Sequence, residues 1–190
     1  MARQLFTARY GGVSKGDFDS FNLALHVNDN SSSVEENRKF LAKLFSVEKL
    51  AFMNQVHGNR VLKVSEDYET QDSDALITTE KNIGLVVMVA DCLPILVDGK
   101  SVVGAIHVGR KGMTNGIVEK TIASMVAQGA QKMVATIGPA VCGACYEVSE
   151  EMHQEVTIKF PRSNAGIRLL DFRKEVTCQL QDLGVAVNQF

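Results

Sequence analysis

Two histidines and one cysteine stand in unusual local company. His57 lies in the polar, glycine-bounded run NQVHGNR, and His107 closes an apolar run in GAIHVGRKG. Cys92 sits in VADCLPI, in the break between two apolar stretches. All three fall at strand ends, where a rigid scaffold presents reactive side chains to a pocket. Two imidazoles and a thiolate can form a zinc shell whose fourth position stays open for water or substrate. The same residues also read as a thiol–imidazole pair, Cys92 with His107, in which the thiolate is a nucleophile. A third reading is a buried thiol beside Pro94 and two hydrogen-bonded histidines. The spacings match no short metal motif, so these readings stay open at this level.

Other polar groups cluster near the three. Asp91, next to Cys92, could orient a ligand or carry a proton, or could simply accept a hydrogen bond at a strand end. Asp74, in SDALIT, has the same two readings. The turn Gly109-Arg110-Lys111-Gly112 enters a helix, so its backbone N–H groups and two cations form a candidate anion seat. The alternative is a surface turn with solvated charges. Cys142-Gly-Ala-Cys145 is a CxxC without a second pair, which argues against a structural zinc knuckle. Cys145 reads as core packing, Cys142 as incidental, and Cys178 as a small hydrophobe on the last helix. A multicopper cluster needs many imidazoles, and the chain has four histidines. His26 falls in a polar loop and His153 on a helix. A single His₂Cys copper with Met88 as axial ligand is conceivable, but copper ranks behind zinc.

These groups need elements to hold them. Runs rich in Val, Ile and Ala at 60–64, 74–78, 83–90, 94–97, 102–108 and 133–137 predict strands covered on both faces. Asp98-Gly99-Lys100 predicts a hairpin and hence antiparallel pairing. Ser33 and Glu36 form a capping box ahead of the stripe Val34, Phe40, Leu41, Leu44 and Phe45. A second helix is expected from Thr114 or Asn115, burying Ile117, Val118, Thr121, Ile122, Met125 and Val126. A third runs from Ser149 to a stop at Pro161, and a fourth from an Asp171 cap to Gly184. Residues 7 to 32 read as surface loops. The fold class is therefore α+β, a mixed sheet layered with covering helices, in one domain over 1–190.

Composition agrees. A chain of 190 residues with 45% hydrophobic and 22% charged residues is globular and can bury a core without disulfides. A net charge of −2 provides no bulk attraction to nucleic acid or anionic membranes. MARQLFTARYGG has no signal-peptide core, and GLVVMVADCLPILV is broken by Asp91 and Pro94. A cytoplasmic protein with reduced thiols is expected.

QVHG at 55–58, ADCLPIL at 90–96, the strand–His–Gly-rich turn at 103–112 and IGPAVCGACYEV at 137–148 together resemble the YfiH family. That family is also called the laccase-domain or multicopper polyphenol oxidoreductase family. FTARYGGVS, SFNLALHVNDN and VEENRKFLA fit the same pattern, so the likeness runs along nearly the whole chain. It implies zinc on His57, Cys92 and His107. It also implies a purine nucleoside phosphorylase acting on adenosine, inosine and methylthioadenosine, with adenosine deamination at the same site. Arg9 matches an early family arginine and joins Asp91 as a candidate catalytic group, while Gly109, Arg110 and Lys111 are candidates for substrate binding. Asn22 and Arg38 match family positions as well. Two departures stand out. Arg110-Lys111 replaces the Trp-Arg of the usual HAGWRG turn, and the chain stops at Phe190, where relatives continue. Both favour a second reading: a catalytically altered, metal-bearing member that binds a ligand or partner.

Overall fold

In the computed structural model, which describes residues 2–190, the chain enters its first α-helix through Asn30. The Asn30 side chain accepts the Ser33 N–H at 3.1 Å and caps α1 (Ser31–Phe45). The helix thus starts ahead of the expected Ser33–Glu36 box. Its buried face is Val34, Asn37 and Leu41, whereas Phe40 and Leu44 are about half exposed. The helix turns Asn37 inward because that amide holds the N-terminal loop. Its Nδ2 donates to Ser14 Oγ and to the carbonyls of Ser20 and Asn22, and its Oδ1 accepts the Val13 N–H.

The strands follow in order: β1 (Lys49–Phe52), β2 (Val61–Lys63), β3 (Ala75–Thr78), β4 (Ile83–Val86), β5 (Leu93–Asp98) and β6 (Val103–Val108). After β6 come α2 (Arg110–Thr114), α3 (Ile117–Ala127), β7 (Val134–Ile137) and α4 (Glu150–Lys159). The chain ends with β8 (Asn164–Gly166), β9 (Leu169–Leu170), α5 (Phe172–Asp182) and β10 (Ala186–Gln189). The Asp98-Gly99-Lys100 turn joins β5 to β6 as an antiparallel hairpin. Six strands form the main sheet in the order β10-β7-β5-β6-β3-β2. Its outer pairs, β10–β7 and β2–β3, are parallel, and the inner pairings are antiparallel. The mixed α+β reading holds.

Side-chain alternation gives this sheet two apolar faces. Ala75 and Ile77 of β3 pack toward α3 and α5 with Ile95, Ile106, Met125, Val176 and Leu180. Leu76, between them in sequence, packs on the opposite face with Ala51, Met53 and Val64. That second face is covered by the small parallel sheet β1–β4. The expected strand at 83–90 is therefore only β4, which leaves the main sheet to pair with β1 instead. The helix expected from Thr114 or Asn115 is α3, which starts at Ile117 because Gly116 adopts a left-handed φ of 79°, and the short α2 precedes it. Val126, expected on the buried face, is 55% exposed. Ser149 and Asp171 cap α4 and α5 as their sequences indicate. No helix among the described residues is long and apolar enough to cross a membrane.

Candidate metal centre

The register of β3 against β6 builds the centre. Ala75 pairs with Ile106, so Asp74 and His107 fall opposite each other at the same sheet end. The His107 N–H donates to the Asp74 carbonyl at 2.8 Å, and the two side chains meet at 2.7 Å, Nδ1 to Oδ1. Both residues are buried, Asp74 completely and His107 to within 2%. With Nδ1 engaged by a carboxylate, His107 is left with Nε2 as its free donor atom.

Asp74 also shapes the loop that carries the other histidine. Its carboxylate accepts the N–H groups of His57 at 2.9 Å and Gly58 at 2.7 Å, with Val56 N at 3.4 Å. Converging amides of this kind form a nest around an anion. They hold His57 in a left-handed conformation, φ 58°, that a non-glycine residue rarely adopts. One buried carboxylate thus fixes the His107 ring directly and His57 through its backbone.

Cys92 arrives from the third direction, on the turn into β5. Asp91, just before it, is also left-handed at φ 73°, and its carbonyl accepts the Val141 N–H at 3.0 Å. Pro94 pairs with His107 across the hairpin. Cys92 Sγ lies 3.8 Å from His57 Nε2, and the two imidazoles meet edge to face with centroids 4.7 Å apart. All three donor atoms lie within 4.8 Å of one another. A tetrahedral ion with bonds of about 2.0–2.3 Å needs donors roughly 3.3–3.8 Å apart, so the set fits one metal ion after a small contraction. His57 is exposed and Cys92 half-buried, which keeps one side of the centre open to solvent.

Gly109 completes the cradle. A Cβ there would sit 2.6 Å from His57 Cδ2 and 3.3 Å from Cys92 Sγ, so only glycine lets the β6–α2 turn close over both ligands. Gly109, a candidate for the anion seat, thus also gives His57 and Cys92 room.

Ionisation follows from these contacts. Burial works against the Asp74 carboxylate, but the hydrogen bonds from His107, Gly58 and His57 outweigh it and lower its pKa. Burial likewise disfavours the His107 cation, yet Asp74, aided by Cys92, raises its pKa to about 9.

The remaining candidates are placed less centrally. Arg110 is half-buried and Lys111 exposed, both directly after Gly109. They open the five-residue α2, which lies ahead of the helix expected from Thr114 or Asn115. Arg9 is exposed in the N-terminal loop, where its Nε donates to the Asp19 carbonyl. Asp91 and Met88 line a cavity of about 960 Å³ between the N-terminal segment, α1, β4 and the back of β5 and β6. None of His57, Cys92 and His107 lines it. His57, Cys92 and His107 are the one group of three or more potential ligands among the described residues. Cys145, expected in the core, is exposed. Asp74 is the residue whose weight the sequence understated. The available signal was an acid directly before ALIT, since a carboxylate entering a fully buried strand must find partners.

The family model described as multi-copper polyphenol oxidoreductase laccase matches residues 3–190. A Corynebacterium glutamicum protein named purine nucleoside phosphorylase is 41% identical over 197 residues, covering 96% of this chain and 80% of that protein. A Mycobacterium tuberculosis protein of the same name is 40% identical over 195 residues, covering 96% and 78%. A Neisseria meningitidis crystal structure superposes with a TM-score of 0.85 at 30% identity, covering 95% of this chain and 78% of that one. YlmD from Geobacillus stearothermophilus gives a TM-score of 0.82 at 27% identity, with coverage of 95% and 78%. With the family model matching nearly its whole length and its fold shared with solved relatives, the chain belongs to the multi-copper polyphenol oxidoreductase laccase family, the YfiH-type proteins.

Proposed function

We propose that this chain is a zinc-dependent purine nucleoside phosphorylase of the cytoplasm. Its substrates would be adenosine, inosine and methylthioadenosine, and it would deaminate adenosine at the same site. The observation that carries this reading is the His57–Cys92–His107 group, open on one side, in a chain about 40% identical to proteins named purine nucleoside phosphorylase. The partners are a small nucleoside and phosphate, with no nucleic acid or membrane.

His57, Cys92 and His107 would hold the ion, with Asp74 fixing the His107 ring and the His57 backbone and Gly109 leaving His57 and Cys92 room. Zinc, when bound, supplies Lewis acidity toward a substrate oxygen and lowers the pKa of water to about 7. Zinc is preferred over copper because the donor set suits it and the soft axial candidate Met88 lines the separate cavity. Lys111 and Arg110, leaving the turn beside the centre, would bind phosphate through their side chains. Arg9 is a further cation for phosphate, and Asp91, on the residue before Cys92, is the candidate proton carrier. In phosphorolysis the N-glycosidic bond breaks, phosphate takes the ribosyl carbon and the base leaves protonated. In deamination water replaces the adenine amino group, which leaves as ammonia.

The test is chromatographic assay of adenosine with and without phosphate, beside a His57→Ala control. Adenine formed only with phosphate supports the phosphorylase, and inosine in both tubes supports the deaminase. Neither product above the control would overturn the nucleoside reading for adenosine and leave the altered, ligand-binding member in its place.

A further inference from the structure

Cys142 and Cys145 take no part in the metal centre, yet the fold sets them face to face. After β7 the chain makes a tight turn in which the N–H groups of Cys145 and Tyr146 both reach the Cys142 carbonyl, at 2.9 and 3.1 Å. That turn brings the two sulfurs to 3.1 Å. Both thiols are free and exposed, so small molecules can reach them. No third donor makes them a metal shell, because the one qualifying group among the described residues is His57–Cys92–His107.

The turn is also fixed from outside. A Cβ on Gly143 would lie 2.7 Å from Asp171 Cβ, so the turn sits directly against the N-cap of α5. Tyr146 packs edge-on to Phe172 at 5.2 Å. On the other side, the Val141 N–H holds the Asp91 carbonyl, one residue from Cys92. The sulfurs are thus held together by backbone geometry, and their loop is one hydrogen bond from a ligand-bearing turn.

We propose that Cys142 and Cys145 form a reversible thiol–disulfide exchange site for low-molecular-weight disulfides such as oxidised glutathione. The Cys142 thiolate attacks one sulfur of the glutathione disulfide, whose S–S bond breaks to release one glutathione thiolate, which takes up a proton. Cys145 then loses its proton and attacks the Cys142 sulfur, forming the intrachain disulfide and releasing the second glutathione. Two electrons pass from the protein dithiol to the glutathione disulfide, and the reverse sequence restores the thiols. The order of attack has a physical basis: contact with the Cys145 thiol and the Ala144 amide lowers the Cys142 pKa, while the same contact raises that of Cys145. The thiolate is the nucleophile in such exchange.

The experiment incubates the reduced full-length chain in glutathione buffers of increasing oxidised fraction, alkylates the remaining thiols and maps peptides by mass. A Cys142–Cys145 disulfide, reversed by dithiothreitol, is the expected product. Cys145→Ser should trap a glutathione adduct on Cys142, and Cys142→Ser should form an adduct on Cys145 severalfold more slowly. Wild-type chain alkylated at both thiols in every buffer would overturn the proposal. Equal adduct rates in the two variants would overturn the assignment of Cys142 as attacking thiol. Both positions are exposed, so neither serine disturbs a core, and the outcome is independent of the nucleoside reading.

Discussion

Asp74 and His107 form a buried carboxylate–imidazole pair, 2.7 Å apart, in which the carboxylate also gathers the backbone of the second histidine, His57. Replacing Asp74 by Asn keeps the shape but removes the charge that orients and enriches the His107 ring. We expect metal affinity to fall about 10- to 100-fold, the usual effect of losing such a supporting group. Chelator competition on folded protein checks it. Unchanged affinity would mean that the pair serves the fold alone.

The same pair sets a pH dependence in the metal-free chain. His107 has its pKa raised from 6.5 to about 9, so its contribution to stability is complete below about 6.5 and disappears as pH rises through about 9. Thermal melts of chelated protein should therefore show falling stability across that window. Asp74→Asn should flatten the slope. Bound metal should remove it too, since the ligand imidazole is then neutral.

Gly109→Ala tests the cradle. Its φ of −84° suits alanine, so backbone strain is not at issue, and the methyl would meet the His57 ring and Cys92 sulfur instead. His57 is exposed and can move aside. We therefore expect a nearly normal melting temperature with metal affinity down by about tenfold or more. Metal stoichiometry after gel filtration, read beside the melt, separates the two effects.

Asn37 ties α1 to the loop that carries Arg9. Its buried amide makes four hydrogen bonds to residues 13–22, and the Arg9 carbonyl accepts the N–H groups of Ser20 and Phe21. Asn37→Ala should cost about 1–3 kcal/mol, because buried donors and acceptors lose their partners. Hydrogen exchange should accelerate in residues 9–21 ahead of the main sheet. If Arg9 binds phosphate, KM for phosphate should rise more than kcat falls.

A free cysteine nucleophile and a metal ligand respond differently to substitution. Cys92→Ser and His57→Ala should each release the metal in equilibrium dialysis. If Cys92→Ser abolished a covalent reaction while the His57→Ala chain still held its metal, the ligand assignment would fail.

Local chemistry made much of this protein legible in its sequence. Ser149 and Asp171 cap their helices, Pro161 and Gly184 end them, and the Asp98-Gly99-Lys100 turn makes its hairpin, because each signal acts within a few residues. His57, Cys92 and His107 are readable as candidates for the same reason: each residue type and its strand-end position are local properties. β1 and β10 were missed because their pairing with β4 and β7 depends on distant partners. The face of α1 was misjudged because a buried Asn37 satisfied by a loop outweighs two exposed apolar side chains. Only tertiary structure could bring His57 to Cys92, 35 residues away, or choose Asp74 over Asp91 as the supporting carboxylate. That choice rests on one register, Ala75 against Ile106, which places Asp74 and His107 at the same sheet end. Strand register is a collective property of two apolar faces, and no short stretch of sequence contains it.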